Sequence, residues 1–294
     1  MDITLTVLEI VAPVFLLAAV GFAWVKMGFE YRVEFVTRLA MTLSVPCLIF
    51  VALMKTEVEP AAITQISLAS VVAYGAVTVV FFLLVAALRL KQSAYLAPLI
   101  FGNTGNLGLP LALFAFGNEG LGYAVVVFAV MAVWSFTFGI WVVAGGGSPM
   151  RALKEPMVGA TLLGALFLWQ GWQTPVFLTH TLELTGQMAI PLMLVTLGVA
   201  VARLHPAGLG RALMLSAAKV VICVGIAWGV GLWFDLPKVA FAVLVVQVST
   251  PVAVTSYLIA QKYAPDEADA VAGLVVVSTL LSVLTLPLTL AFVI

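Results

Sequence analysis

The stretch GNTGNLGLP, Gly102 to Pro110, lies inside an apolar segment that runs from roughly residue 94 to 117. Two asparagines, a threonine, three glycines and a proline are poor material for an unbroken membrane helix. Gly102 and Gly105 can end a helix by adopting φ > 0, and Asn106 can cap the next half-helix by accepting from its first amides. Pro110 then falls in the first turn of that half-helix, where little hydrogen bonding is lost. The expected feature is a helix broken at mid-span. Backbone groups freed by a break cannot face lipid, so the break must be buried in protein or line a wet cavity. Taken alone, the stretch also fits close packing of helices through small residues.

A second polar interruption, VQVSTPVAVTSY (Val246 to Tyr257), lies midway along another apolar segment. Thr250 reads there as an N-cap and Pro251 as the first helical residue. Gly102, Pro110 and Pro251 are the helix-breaking residues of the pair. If the two segments run in opposite directions, their half-helix N-termini converge, each carrying unpaired N–H groups and roughly +0.5 of a charge. Such a point attracts an anion. Asn103, Thr104, Gly105, Asn106, Ser249 and Thr250 are the candidate substrate-binding residues, with Gln247 as a further hydrogen-bonding or ion-coupling group. Carbonyls near Asn106 and Gln247 could instead ligate Na⁺.

The rest of the chain is consistent with this reading. Its 294 residues are 64% hydrophobic and 9% charged, with a mean hydropathy of +1.21. Soluble domains carry about 25% charged residues, so the composition is that of an all-α polytopic membrane protein. Formal net charge is zero, which points to neither nucleic acid nor a polybasic lipid tether. Runs of about 20 apolar residues mark spans. Ten are expected, roughly 3–25, 35–54, 63–88, 94–117, 120–143, 155–172, 178–201, 211–233, 238–261 and 268–293. The amino terminus lacks a basic n-region and cleavage site, so it is expected to be retained as the first span. Odd-numbered connections carry Lys26, Arg32, Arg38, Arg89, Lys91, Arg151, Lys154, Arg203, Arg211 and Lys262, whereas even ones carry only Lys55 and Lys238. The positive-inside rule then places the odd loops in the cytoplasm and both termini outside.

Five prolines (Pro13, Pro46, Pro60, Pro98 and Pro110) recur in order as Pro156, Pro191, Pro206, Pro237 and Pro251, at offsets of 143, 145, 146, 139 and 141. This suggests two five-span halves, residues 1–150 and 151–294. An odd number of spans per half makes them inverted repeats, a recurring transporter architecture. Spans four and nine are then the broken, crossing pair.

Other polar intruders carry weaker signals. Lys219 lies about two turns into span eight and fits either snorkelling or a functional cation near an anionic substrate. Ser44, Pro46 and Cys47 in span two, and Pro191 with Thr196 in span seven, are candidates for the opposite cavity wall, or kinks that adjust packing. Cys47 and Cys223 read as core thiols. Glu9 reads as an interfacial snorkeller, His180 and His205 as wet, and the seven tryptophans as interfacial anchors. No carboxylate is placed at a span centre, and there is no HExxH, GxSxG, Walker or nucleotide-binding pattern. No enzyme, metal or cofactor is expected, beyond Na⁺ or H⁺ coupling.

GNTGNLGLPLALFAFG (Gly102 to Gly117) resembles the span-four signature of the auxin efflux carrier family, the bacterial relatives of plant PIN proteins. QVSTPVAVTSYLIAQKY (Gln247 to Tyr263) and VVVSTLLSVLTLPLTL (Val275 to Leu290) resemble its carboxy-terminal half. The resemblance covers essentially the whole chain. It implies a fold similar to bile-acid/sodium symporters: a scaffold of spans one, two, six and seven, usually dimeric, and a moving transport domain of spans three to five and eight to ten. It further implies elevator-type carriage of an organic anion, such as an auxin-like carboxylate or a dicarboxylate like malonate, in the bacterial inner (plasma) membrane. The plant motif carries a proline between its asparagines where this chain has Thr104 and Gly105. The long cytoplasmic loop of the plant proteins is replaced by GGGSPMRALKE. Alternatives to a simple carrier are Na⁺-coupled symport of the bile-acid type and a non-transporting receptor or scaffold.

Overall fold

A computed structural model describes residues 3–55, 60–139, 142 and 156–293. Arg151, Lys154 and the GGGSPMRALKE connection lie outside the described residues. In chain order the elements are α1 (Ile3–Lys26), α2 (Val33–Leu39), a π-helical turn (Ala40–Ser44), α3 (Val45–Lys55), α4 (Pro60–Ala87) and α5 (Gln92–Ile100). A second π-helical turn (Thr104–Gly108) leads into α6 (Leu109–Trp134) and a third (Ser135–Gly139). There follow α7 (Pro156–Gln170), α8 (Val176–Gln187), α9 (Ala189–Arg203), α10 (Leu209–Trp233), α11 (Lys238–Val248), α12 (Thr255–Tyr263), a 3-10 turn (Pro265–Glu267) and α13 (Ala268–Val293). Among the described residues there is no sheet, and one isolated antiparallel bridge joins Gly102 and Val252.

Seven helical segments among the described residues are long and apolar enough to cross a bilayer, and Pro156–Gln170 and Lys238–Val248 are apolar but shorter. The exterior carries many large apolar side chains, Leu8, Leu83, Phe177 and Phe292 among them. A folded chain that turns such side chains outward is matched to lipid rather than water, so this is a polytopic membrane protein.

One of the seven segments, Thr104–Gly139, is 36 residues long and doubles back on itself. Gly117 sits at φ 62°, ψ −151° inside α6, a conformation open in practice only to glycine. A methyl group built on Gly120 would lie 2.6 Å from the carbonyl oxygen of Ala112. In a straight helix, residues eight apart are separated by about 12 Å. The chain therefore reverses at the exposed Gly117–Asn118–Glu119.

Two sets of elements pack among themselves. α1 lies along α9, where Gly21 meets the Val195 carbonyl and Gly198 meets that of Ala18, and α3 packs on α7 and α8. The other set joins α10 to α4, α11 and α13, and α6 to α4 and α11. Its cytoplasm-expected end is tied by ion pairing of Lys91 to Asp266 at 2.8 Å and by the Tyr95 hydroxyl, which donates to Glu267 at 2.9 Å.

Candidate functional site

The two interrupted segments meet. α5 ends at Ile100 and α11 at Val248, and the extended residues that follow each helix run antiparallel past one another. The amide of Asn103 donates to the Pro251 carbonyl at 2.7 Å, and the amide of Val252 donates to Ser278 Oγ of α13 at 3.0 Å. Backbone groups freed by one break are thus met by the other break and by a neighbouring helix, which is how a non-helical segment survives in a buried place. Contact is close at two glycines. A methyl at Gly102 would overlap Thr250 Oγ1, and one at Gly108 would overlap Gln247 Oε1.

Capping at the breaks differs from the sequence expectation. Thr250 is not an N-cap: α12 begins at Thr255 after Val254, and the Thr250 hydroxyl turns back to donate to the Gln247 carbonyl at 2.8 Å. Ser249 does likewise to Val246 at 3.1 Å. Both hydroxyl protons close the C-terminal end of α11, where carbonyls run short of intrahelical donors: that of Gln247 has only a long contact from the Thr250 amide, 3.4 Å. Asn106 is also not the cap. Asn103 occupies that position, and its carbonyl accepts from the amides of Leu107 (3.1 Å) and Gly108 (3.3 Å), giving the π-helical turn. Pro110 and Pro251 are not equivalent. Pro110 is in the first turn of α6, whereas Pro251 lies in the extended break and accepts through its carbonyl. The half-helix ends repeat at Ile100 and Val248, 148 residues apart, so the proline offset of 141 is out of step with them.

Lys219 is 1% exposed and is the one charged side chain buried among the described residues. It does not snorkel: its Nζ donates to the Leu99 carbonyl in the last turn of α5 at 2.7 Å. The C-terminal ends of both half-helices are therefore covered, α5 by an ammonium and α11 by two hydroxyls. The N-terminal ends are not: neither Asn103 nor Val254 makes a side-chain cap. Beside them Asn103 Nδ2 and Thr104 Oγ1 are buried without a hydrogen-bond partner, as is Gln247 Oε1; Gln247 Nε2 makes only a long contact, 3.5 Å, to the Ala124 carbonyl.

The proposed opposite wall is partly assembled. Ser44 ends the first π-helical turn, is fully buried, and its hydroxyl has no partner. α9 borders both that turn and the one at Thr104–Gly108, and Gly105 faces Phe128 and Met193. Pro46 and Cys47 are half-buried, with Gly186 of α8 against the Cys47–Leu48 backbone. Pro191 is exposed and Thr196 bonds to the Tyr31 hydroxyl at 2.7 Å, so neither offers a free group to the crossing. Glu9, His180 and His205 are exposed. Sequence reasoning missed the π-helical turns, which recur at functional sites, and the buried hydroxyls of Tyr74 and Ser216, which are also without partners. Tyr74 and Ser216 sit in predominantly apolar stretches where one more hydroxyl gives little signal.

Comparison with known proteins decides the family. The chain matches the membrane transport protein family over residues 6–150 and 140–290. It belongs to that family. This is the auxin efflux carrier family that the Gly102–Gly117 stretch resembles. The chain is 30% identical over 192 residues to an uncharacterized transporter of Methanothermobacter thermautotrophicus, covering 63% of each chain. It is 24% identical over 200 residues to the uncharacterized transporter MJ1031 of Methanocaldococcus jannaschii, covering 64% of each. The matched region thus spans a little under two thirds of these curated relatives. The family model describes a membrane transport protein, and both relatives bear the name of transporters.

Proposed function

We propose that the protein is a secondary carrier of a small organic anion, bound where the two broken helices cross. The observation that carries this reading is the asymmetry of capping. Both C-terminal helix ends at the crossing are neutralised, by Lys219 and by Ser249 with Thr250, while both N-terminal ends are left without side-chain caps. The residual field favours negative charge. Asn103 Nδ2 and Thr104 Oγ1 are buried donors without partners, and leaving such groups unmet costs about 1–3 kcal/mol each. A carboxylate supplies acceptors for both. Ser249 and Thr250 shape the site but have committed their protons elsewhere.

The ten-span reading follows from the same features. Thr104–Gly139 reverses at Gly117 and so serves as the end of one span and the whole of the next, and the shorter α7 and α11 complete the set. The two packing sets support a division into a scaffold (α1–α3 with α7–α9) and a transport unit (α4–α6 with α10–α13). Movement of one past the other is elevator-type alternating access, and a dimer through the scaffold provides the fixed partner. The organisation is that of inverted repeats in a multi-pass plasma-membrane protein, with both termini on the outer side.

Na⁺ coupling is the second reading, favoured by one observation, the partnerless Gln247 Oε1. Against it, the carbonyls of Leu99, Val246, Gln247 and Pro251 already accept from Lys219, Ser249, Thr250 and Asn103. A carrier with a fixed ammonium at the crossing has less need of a bound cation there. Purified protein in liposomes, tested with radiolabelled malonate and indole-3-acetate and with choline replacing Na⁺, separates the readings. Uptake indifferent to Na⁺ and abolished by Asn103→Ala is expected. Uptake unaffected by Asn103→Ala overturns the site, and binding without flux points to a receptor.

A further inference from the structure

A cavity of about 250 Å³ lies between α3, α8 and the Gly117 reversal. Its walls come from both packing sets: Leu48 and Lys55 of α3 and Glu183 of α8 on one side, and Leu113 and Asn118 of α6 on the other. Along α3, the turn before Leu48 ends at the partnerless Ser44. Along α6, the turns before Leu113 lead back to Thr104. Both walls therefore belong to helices whose earlier turns lead back to the crossing. At its rim Lys55 Nζ is ion-paired with Glu183, the two side chains 44% and 29% exposed. A pair this wet contributes little to stability and exchanges partners readily. Lys55 is the one cation among the described residues that line this cavity.

We propose that this cavity is an anteroom in which the substrate's carboxylate displaces Glu183 from Lys55 before it passes to the crossing. The inference rests on the organic-anion reading above. Glu183 and a carboxylic substrate present the same group to the same ammonium, so Lys55 exchanges one carboxylate for another without being left uncompensated. Asn118 offers an amide donor from the facing wall. Glu183 then acts as a competitor that keeps Lys55 ordered and limits how long an anion is retained.

Removal of either partner has opposite consequences under this scheme. Glu183→Gln frees Lys55, and Lys55→Gln leaves an unpaired carboxylate that repels the anion. Uptake of radiolabelled malonate and indole-3-acetate into proteoliposomes is measured for the parent, each single variant and the double variant, at about 20 mM and about 500 mM salt, where screening differs several-fold. The expected result is a KM lowered about threefold in E183Q and raised about threefold or more in K55Q, with the double variant between them and the spread shrinking at high salt. Singles that shift KM in the same direction, or that lower only the amount of folded protein, overturn the anteroom and leave a structural strap between α3 and α8. A parent that neither binds nor carries either probe overturns the organic-anion reading itself, and with it this inference.

Discussion

Lys219 Nζ donates to the carbonyl oxygen of Leu99 at 2.7 Å, so the buried ammonium sits on the negative end of α5, within a turn of the crossing. A cation at a helix C-terminus in a partly buried place is worth up to about 2 kcal/mol. It also cancels the partial charge that would otherwise repel an anion at Asn103. Lys219→Met is expected to lower transport by about tenfold or more. Thermal unfolding in detergent should change little, because removing a buried charge offsets the lost hydrogen bond. A variant that transports normally shows that this cation is not needed at the crossing.

The polar side chains on the two sides of the crossing should separate by phenotype. Asn103→Ala and Thr104→Val remove partnerless donors, so anion affinity should fall by about 10- to 100-fold, corresponding to a lost hydrogen bond to a charged group, with stability retained. Ser249→Ala leaves the Val246 carbonyl unmet and should lower stability by about 1–3 kcal/mol, and Thr250→Ala, which leaves the Gln247 carbonyl only the 3.4 Å contact from the residue 250 amide, should lower it by less, both with a smaller effect on affinity. Isothermal titration alongside thermal unfolding reads both quantities.

Close approach at Gly102 leaves no room for a side chain beside Thr250. Gly102→Ala forces the two extended segments apart and stretches the bond from Asn103 to Pro251. A cost of about 1–3 kcal/mol and loss of transport are expected, measured by unfolding and by proteoliposome uptake. Normal uptake by this variant is incompatible with the backbone pairing described here.

At Gly108 the obstacle is the end of a side chain, Gln247 Oε1. Gly108→Ala should therefore impair transport alone and recover in part when combined with Gln247→Ala, which vacates the space. Failure of the second substitution to restore function would place the constraint on Gly108 elsewhere than in this contact.

At the reversal, Gly117 holds a conformation that other residues avoid. Gly117→Val should cost about 1–3 kcal/mol in stability, and Asn118→Cys should react with a membrane-impermeant thiol reagent added from the outer side. Labelling from the opposite side would reverse the orientation inferred from the loop cations.

The sequence made the breaks legible because glycine, proline and asparagine inside apolar runs contradict a continuous helix, and that conflict is local. Membrane class, the two interrupted segments and the choice of Asn103 and Thr104 as candidates all come from composition and residue type. Capping was misassigned for a physical reason. A threonine hydroxyl at a helix break serves the following amides or the preceding carbonyls with similar local geometry, and the choice at Thr250 goes to the carbonyl of Gln247. Lys219 was undecided for the same kind of reason, since snorkelling and burial are equally available to its long stem. The choice was made by the carbonyl of Leu99, 120 residues away.

By itself, then, the amino-acid order determined that this chain lives in a membrane and that two of its helices break there, because hydropathy and backbone conformational preference are properties of short segments. Tertiary structure alone decided that the breaks pair with each other, that one lysine covers one of them, and that the donors of Asn103 and Thr104 are left unspent. Those outcomes depend on which distant groups reach a buried polar atom first, and no local pattern encodes that competition.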